Sequence, residues 1–285
     1  MNQLDCVTSV CTLRDLNAWL LVSKQIPTKI ASKRYRVIVP DDQVRAFQER
    51  TPAKIEVHPE SIYISDLYKT IKTKVPTTNQ HRTGWYLQQF IKLASLIDGD
   101  NGENHLIWDA DTVPLKNLDF VDHDGRLAFY KSNERNPDYF PPIERLLGIN
   151  NSLPFSFIAQ CLACKTEWAK EMAAAIEISA SKPWALAILD AVDFRKTSGF
   201  SEYETLGSFM MANHSNGIRL TDGRWFRYGG SLLGDPANMN RQPYKWFLDR
   251  YDFISLESWD TGVRLPRAAN FLNALRKELL TKGRL

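Results

Sequence analysis

Two aspartates separated by a single residue, Asp109 and Asp111, are the side chains of this sequence best placed to do chemistry. They directly follow a short apolar run, HLIW at residues 105–108, which predicts a buried strand. In an extended segment, residues i and i+2 point the same way, so the two carboxylates can converge on one hard cation such as Mn²⁺ or Mg²⁺. The oxygens of a diphosphate would complete its ligands. The alternative is that Asp109 caps a turn and Asp111 is solvated.

The elements before these aspartates indicate how they are held. Short apolar runs alternate with longer helical patterns, which is typical of βαβ units and a largely parallel sheet. Ligands of open α/β sheets bind outside the carboxyl ends of the strands, where the two acids are expected to lie. The polar, Lys- and Thr-rich residues 69–83 predict a mobile loop. Strands are predicted at 6–11, 35–39, 55–57 and 105–108, and helices at 13–23 and 84–97.

The second half of the chain is less regular. No internal repeat is present, and a basic amphipathic helix is predicted at the carboxyl end, at residues 266–285. This helix would either contact an anionic membrane surface or dock its apolar face on the core. Strands are predicted at 127–130 and 155–163, and helices at 166–178, 183–191 and 202–213.

Composition and charge exclude some classes of function. The 285 residues carry 36 Lys and Arg against 33 Asp and Glu, a formal charge of +3, so we expect no nucleic-acid partner. No apolar stretch approaches the roughly 18 residues that span a bilayer, and the first residues lack a signal-peptide pattern, so a cytoplasmic protein is expected. Buried thiols are predicted, with a metal or redox role as the alternative, for Cys6, Cys11, Cys161 and Cys164.

Three segments together resemble bacterial glycosyltransferases of the GT-A fold: GWYLQQFIKL (84–93), HLIWDADTVPL (105–115) and SGFSEYETLGSF (198–209). They are similar in particular to a group long labelled a domain of unknown function and found among capsule and lipopolysaccharide synthesis genes. The resemblance spans residues 5–230 and implies a Rossmann-like, mostly parallel mixed sheet flanked by helices. It divides a single domain into a nucleotide-sugar-binding half (1–115) and an acceptor-binding half (116–262), followed by the basic helix (263–285).

The resemblance implies metal-dependent transfer of a sugar from a nucleotide-diphosphate donor, with a UDP-sugar favoured, to a hydroxyl of a glycan or lipid-linked glycan. Such an enzyme could work at the inner face of the cell membrane. Asp111 would be the direct ligand of Mn²⁺ or Mg²⁺, and Asp109 would contact the metal or the ribose. The first strand and the loop after it would hold the base through Val7, Thr8, Thr12 and Arg14.

Helix 84–97 would face the donor in such an enzyme. Gln89 would bind sugar hydroxyls and Lys92 would meet a phosphate, whereas a solvated helix face is the alternative reading of both. His214, the last histidine of the chain, would be an extra metal ligand unless it is an exposed residue at a helix end. Three arginines that could pair with phosphates, without a matching family pattern, are Arg219, Arg224 and Arg227.

Family resemblance places a catalytic acid at the start of a helix after the aspartate pair, which here means Glu202 or Glu204. Such a carboxylate would remove the proton of the acceptor hydroxyl. Ser201 to Glu204 also reads as a capping box, in which Ser201 caps the helix and Glu204 reaches back to the Ser201 amide. Glu202 could instead serve the helix dipole. Both glutamates therefore stay candidates.

Two other functions fit the same residues. The sequence Asp109 to Val113 matches the start of haloacid-dehalogenase phosphatases, in which the first Asp is a nucleophile and the second an acid or base. That family usually carries the motif close to the amino terminus, whereas here it begins at residue 109. A non-catalytic glycan-binding module is the third reading, because eight Trp and ten Tyr could supply stacking faces for sugars.

Overall fold

The computed structural model describes residues 3–65, 67–150, 153–234 and 236–260, together with the single positions 269, 272 and 276. The strands within these residues are β1 (Leu4–Val10), β2 (Ser32–Val39), β3 (Glu56–Pro59), β4 (Asn104–Trp108), β5 (Thr112–Pro114), β6 (Leu127–Tyr130), β7 (Cys161–Lys165), β8 (Ile218–Thr221), β9 (Trp225–Phe226) and β10 (Phe253–Ser255). The α-helices are α1 (Leu16–Lys29), α2 (Val44–Gln48), α3 (Leu67–Lys74), α4 (Thr83–Ile97), α5 (Phe140–Leu147), α6 (Thr166–Ala180), α7 (Trp184–Ala191), α8 (Glu202–His214), α9 (Gly229–Leu233) and α10 (Gln242–Leu248).

The central sheet has the strand order β3-β2-β1-β4-β7. The first four of these strands are parallel to one another, and β7 is antiparallel to β4. A mostly parallel mixed sheet flanked by helices is therefore confirmed. Helices cover both faces of such a sheet, which is why β2 ends in a continuous apolar run that is fully buried, Val37 to Val39. Because Thr8 pairs with Ile107, the carboxyl ends of β1 and β4 lie side by side.

A small second sheet, β5-β10-β9, begins directly after the aspartate pair. Strand β10 is antiparallel to β5, with Ser255 opposite Thr112. The hydroxyls of these two fully buried residues share a hydrogen bond of 2.6 Å. The pairing brings the residues after β10 against the turn that carries Asp109 and Asp111. A third pair of strands, β6 and β8, is parallel.

Trp108 fixes the turn from the other side. Its indole is fully buried and meets the Phe253 ring edge-on at 5.2 Å between ring centroids. The indole Nε1 donates to the Thr112 carbonyl oxygen at 2.6 Å, which spans the two aspartates. Burying an aromatic side chain of this kind contributes about 1.5–3 kcal/mol. The last residue of β4 thus holds the backbone of the turn as well as the core.

The predicted helix at 84–97 is confirmed as α4, which packs against α3, α6 and α8. The predicted loop at 69–83 is wrong, because α3 and a 3₁₀ helix at Thr77–Arg82 occupy this segment. The polar composition conceals an apolar stripe of period four, Leu67, Ile71 and Val75, whose members are all buried.

The predicted strand at 155–163 is confirmed only in its last part, because β7 begins at Cys161. Gln160 lies just before it with φ of 64°, a left-handed conformation that a strand residue does not adopt. The four cysteines are buried free thiols, as expected. The predicted basic helix at 263–285 falls outside the described residues, apart from single positions.

Within the described ranges no single helix is long and apolar enough to cross a bilayer; the pair α6 and α7 would be only if taken together, and it is bent by 64°.

Candidate active site

A cavity of about 720 Å³ opens where β1 and β4 end. Its wall combines the loop after β1, the first turns of α4, the β4–β5 turn, the start of α8 and residues 257–259. We call it the acid-lined cavity, because six carboxylate side chains line it against four lysine and arginine side chains. The position outside the carboxyl ends of parallel strands is where open α/β sheets bind their ligands. The acids at the cavity are Asp15, Asp109, Asp111, Glu134, Glu202 and Glu257.

Lys92 joins three of the residues in this cavity. Its Nζ donates to Asp109 Oδ1 at 2.6 Å and to Glu202 Oε1 at 2.7 Å, and it lies 3.4 Å from the Tyr203 hydroxyl. Tyr203 in turn donates to Asp109 Oδ1 at 2.6 Å. Burial alone would lower the pKa of Lys92, but the charges of Asp109 and Glu202 outweigh it and raise that pKa, so the side chain is a permanent cation.

These contacts change the role expected of Lys92. Its ammonium has three donors, and protein oxygens lie within hydrogen-bond distance of all three. In this arrangement the side chain fixes Asp109 and Glu202, and its contact with a donor phosphate stays a prediction. Gln89 is similarly occupied: its Oε1 accepts from the Glu202 amide at 3.1 Å and its Nε2 donates to the Trp85 carbonyl oxygen at 3.3 Å. Gln89 positions the start of α8 at the cavity.

Asp111 differs from Asp109 in having no cation beside it. Among the described residues its carboxylate makes no ion pair, and the one hydrogen bond to it comes from Thr112 Oγ1 at 3.4 Å. Burial, followed by the nearby charges of Glu257, Asp109 and Asp15, raises its pKa well above the usual value. Asp111 is thus a carboxylate in need of positive charge.

Glu257 is the acid that the sequence did not single out. It follows β10, and the Leu256 amide before it donates to the Asp111 carbonyl oxygen at 2.8 Å, so Glu257 lies beside the aspartate turn. Burial raises the pKa of Glu257, and the nearby guanidinium of Arg227 opposes this shift. Arg227 Nε donates to Glu257 Oε1 at 2.6 Å and the same guanidinium contacts Glu134. Trp259 donates its indole N–H to the other Glu257 oxygen.

Asp15 completes this group of acids at the start of α1. Burial raises its pKa, and a hydrogen bond with Ser258 opposes the shift. Carboxylate oxygens are the ligands that Mg²⁺ and Mn²⁺ prefer. The chemistry of the donor set, three acids around one carboxylate that lacks a cation, therefore fits a hard divalent metal ion. Asp111 and Glu257 are the best candidates to hold it, with Asp109 beside them.

A different metal-like cluster lies on the surface. Asp122, His123 and Asp124 bring one ligand atom each within 4.8 Å of the others. Asp122 already accepts from the backbone amides of Asp124 and Arg126 and from the Arg126 guanidinium. His123 and Asp124 are exposed. The cluster is explained by its own turn and is not part of the acid-lined cavity.

The two candidate catalytic bases, Glu202 and Glu204, lie in different surroundings. Glu202 lines the cavity at the first turn of α8, with its Oε1 on Lys92. Glu204 is buried away from the cavity, and its Oε2 accepts from the Phe157 amide at 3.1 Å. Ser201 caps the helix as predicted, since its Oγ accepts from the Glu204 amide at 3.2 Å. The prediction that Glu204 acts as a base is therefore corrected. Its side chain makes structural contacts and does not line the cavity.

His214 does not reach the cavity. Its ring stacks on Trp168 at 4.7 Å between ring centroids, and its Nε2 lies 2.8 Å from a Glu171 oxygen. The predicted role as an extra metal ligand is therefore wrong. Arg219 also lies elsewhere, beside Asp122 and Thr221, whereas Arg227 lines the cavity.

The residues predicted to bind the nucleotide base lie partly within β1 and partly after it. Val7 and Thr8 are buried within the strand and do not line the cavity, so their predicted nucleotide contact is wrong. Their side chains alternate between the two covered faces of the sheet, which leaves neither at its edge. Thr12 and Arg14 lie in the loop after the strand and do line the cavity.

Gln160 is the remaining unexpected wall residue. Its backbone stays in the left-handed region at φ of 64°, and its carbonyl oxygen accepts from the Asp109 amide at 2.9 Å. Such a conformation costs a residue with a side chain about 1 kcal/mol or more and is often found at functional sites. The strained peptide places the buried Gln160 side chain at the cavity, next to Asp109.

Comparison with known proteins gives one family match and several distant structural likenesses. The model of DUF6492, a family of unknown function, matches residues 23–263. None of the curated proteins matches the chain in sequence. Among solved structures the chain is similar to the galactosyltransferase LgtC in complex with donor and acceptor sugar analogs, at 11% identity and a TM-score of 0.46, over 98% of this chain and 95% of that one.

Two further likenesses are of the same kind. Mouse xyloside xylosyltransferase 1 gives 11% identity and a TM-score of 0.48, over 91% of this chain and 99% of that one. The bifunctional glycosyltransferase WbbM gives 13% identity and a TM-score of 0.44, over 100% of this chain and 52% of that one.

Proposed function

The chain belongs to DUF6492, a family of unknown function, and we propose that it is a metal-dependent glycosyltransferase that uses a nucleotide-diphosphate sugar. The acceptor is a hydroxyl of a glycan or lipid-linked glycan. The observation that carries the proposal is the placement of Asp111, a carboxylate without a cation, in a cavity at the carboxyl ends of β1 and β4. The motif resemblance of the three segments around it supports the same reaction class.

We assign the metal to the acids around Asp111. Asp111 and Glu257 would hold Mn²⁺ or Mg²⁺, and Asp109 would add either a direct or a ribose contact. When bound, the ion would supply positive charge beside the diphosphate of the donor and the departing nucleoside diphosphate. Lys92 fixes Asp109 in place by holding its Oδ1.

Other residues of the cavity wall suit the nucleotide. Thr12 and Arg14 are exposed in the loop after β1, where backbone and side-chain polar groups can meet the base and ribose. Arg82 lies over the Trp85 ring at 3.8 Å, and both side chains line the cavity. A guanidinium stacked in this way keeps its charge available to a phosphate. These residues bind and orient the donor.

Glu202 is our proposed base. The oxygen of the acceptor hydroxyl forms a bond to the anomeric carbon, the bond from that carbon to the diphosphate oxygen breaks, and the hydroxyl proton passes to the Glu202 carboxylate. Gln89 holds the Glu202 amide and Lys92 holds its Oε1, so the carboxylate is fixed in direction. Positioning of this kind is the main contribution that a general base needs from its neighbours.

A thermal-shift screen of nucleoside diphosphates with and without Mn²⁺ tests the proposal. A ligand that binds only the folded protein raises the melting temperature, so UDP and Mn²⁺ together should raise it further than either does alone. Asp111→Asn should abolish this shift, while Asp124→Asn, on the surface cluster, should preserve it. A shift that survives Asp111→Asn would remove the metal from this site.

Product analysis separates the alternatives. Release of phosphate from simple phosphate esters, with no sugar transfer, would favour the phosphatase reading of Asp109 and Asp111. Binding of glycans that is indifferent to EDTA and unaccompanied by donor turnover would favour a binding module. Transfer or slow hydrolysis of a UDP-sugar that EDTA stops is the expected result.

A further inference from the structure

A second, larger cavity of about 1250 Å³ adjoins the acid-lined cavity. The two share three wall residues, Glu134, Arg227 and Trp259. The Arg227 guanidinium lies between the Glu134 and Glu257 carboxylates and 5.6 Å from the Trp259 ring centroid. This shared wall is therefore one layer of side chains thick. A molecule bound in the second cavity can therefore reach the wall of the first.

The second cavity differs from the first in charge. Four basic side chains line it against two acidic ones. Lys131 pairs with Asp222 at 2.6 Å, and Arg227 pairs with Glu134. Arg224 is exposed, and among the described residues no hydrogen bond or ion pair engages its guanidinium. Arg224 therefore carries part of the excess positive charge and is open to a ligand.

Aromatic side chains lie between these cations. Trp259 is 57% exposed although it is large and apolar, and Tyr228 meets its ring edge-on. Phe155 is partly buried below Lys131, whose Nζ lies 5.7 Å from the ring centroid. Aromatic faces stack on the apolar faces of sugar rings, and a guanidinium pairs with carboxylate or phosphate oxygens. The combination fits a saccharide that carries negative charge.

We propose that the second cavity binds an anionic saccharide, bearing carboxylate or phosphate groups, as the acceptor of the transfer. The saccharide stacks on Trp259 and places its charge on Arg224. Its terminal hydroxyl faces the acid-lined cavity past the shared wall of Glu134, Arg227 and Trp259. The identification as acceptor rests on the proposed function, whereas the binding of an anionic saccharide does not.

Calorimetric titration tests the binding. The probes are an oligosaccharide of uronic acids, a phosphorylated oligosaccharide and a neutral oligosaccharide of the same length. At least one acidic probe should bind about tenfold or more tightly than the neutral one, and Arg224→Glu should remove that preference, since a charge-assisted hydrogen bond is worth about a factor of ten. The stronger acidic probe identifies the group recognised. Arg45→Glu, an exposed arginine of α2, is the matched control and should keep the preference.

Two outcomes overturn the inference. Equal affinity for acidic and neutral probes removes the role of charge, and an acidic preference that survives Arg224→Glu places the ligand elsewhere. Asp111→Asn separates this inference from the proposed function, because it should abolish the Mn²⁺-dependent UDP shift and retain the acidic probe. Acidic binding without any UDP shift in the unaltered protein sustains the saccharide site and defeats the transferase. A UDP shift without a preference for the acidic probes supports the transferase and overturns the saccharide site.

Discussion

The backbone amide of Leu256 donates a hydrogen bond to the carbonyl oxygen of Asp111 at 2.8 Å. This bond continues the antiparallel pairing of β5 and β10 by one residue beyond Ser255 and Thr112. Through it a segment distant in the chain supplies Glu257 to the aspartate turn. Strand pairing therefore helps to build the acid-lined cavity, and the position of Glu257 in it depends on the register of two three-residue strands.

Asp111→Asn should stabilise the metal-free protein while it abolishes metal binding. The neutral amide removes repulsion from Glu257, Asp109 and Asp15, so the free energy of unfolding at neutral pH should rise by about 0.5–1 kcal/mol. Urea unfolding in EDTA measures the gain in the free energy of unfolding. The change in melting temperature on adding Mn²⁺ measures the loss of metal binding. A metal-free variant less stable than the parent would contradict the idea that Asp111 is under electrostatic strain.

The metal-free protein should become less stable as the pH rises. Burial and neighbouring acids raise the pKa of Asp111 and Glu257 in the folded state. Between the ordinary and the raised pKa values the folded state binds more protons than the unfolded state, so the free energy of unfolding falls with increasing pH. Urea unfolding in EDTA from pH 4.5 upward should show this decline, and Mn²⁺ should reduce it. A free energy of unfolding that increases over the same pH range would contradict the raised pKa values of Asp111 and Glu257.

Lys92→Met should be strongly destabilising. The substitution leaves the Asp109 and Glu202 carboxylates without their cation, and removing one partner of a buried ion pair costs about 3–5 kcal/mol. Adding Glu202→Gln should recover part of this loss, because one of the two stranded charges disappears. Lys33→Met is the matched control: Lys33 pairs with Asp5 on the surface, and its loss should cost less than about 1 kcal/mol. Equal effects of Lys92→Met and Lys33→Met would argue against the network.

Glu202 and Glu204 should respond differently to substitution. Glu202→Gln keeps the shape of the side chain and should lower kcat for transfer by about 10²-fold or more, since general base catalysis contributes that much. Glu204→Leu should leave kcat near its original value but cost about 1–3 kcal/mol of stability, because the buried Phe157 amide loses its acceptor. Steady-state kinetics and thermal unfolding measure the two effects. The reverse pattern would make Glu204 the base.

Gln160→Gly should separate backbone strain from side-chain function. Glycine adopts a positive φ without penalty, so stability should change by less than about 1 kcal/mol. Loss of the amide from the cavity should weaken donor binding about tenfold if it contacts the ligand. Ser181→Gly is the control, because Ser181 has φ of 51° at the carboxyl end of α6, away from the cavity, and should leave donor binding unchanged. Unaltered donor binding in Gln160→Gly would leave this side chain without a role in it.

Local patterns allowed part of the fold and site to be predicted. The position of Asp109 and Asp111 at the end of β4 follows from a four-residue apolar run, and α4 follows from its apolar stripe. Helix α3 was missed because Lys and Thr outnumber its buried residues, so composition indicated a loop where the period of Leu67 and Ile71 indicated a helix.

Glu257 was missed for a different reason. Only the pairing of β10 with β5 brings it to the aspartates, and a strand of three residues carries no periodic signal that could reveal that partner. Gln160 is similar, since nothing in its residue type indicates a left-handed backbone. What the sequence did offer was an acid directly after a short apolar run, the same signal that identified Asp109.

Because Glu257 lies so far along the chain, a growing polypeptide on the ribosome has both aspartates long before it has their partner. Domains form from the amino-terminal side as they are synthesised, yet here the last strand of the second sheet must arrive before the turn is clamped. Products of a premature stop upstream of β10 should consequently be inert toward nucleotide and metal. Capture on an immobilised nucleoside diphosphate would then select for molecules that have been translated and folded through residue 257.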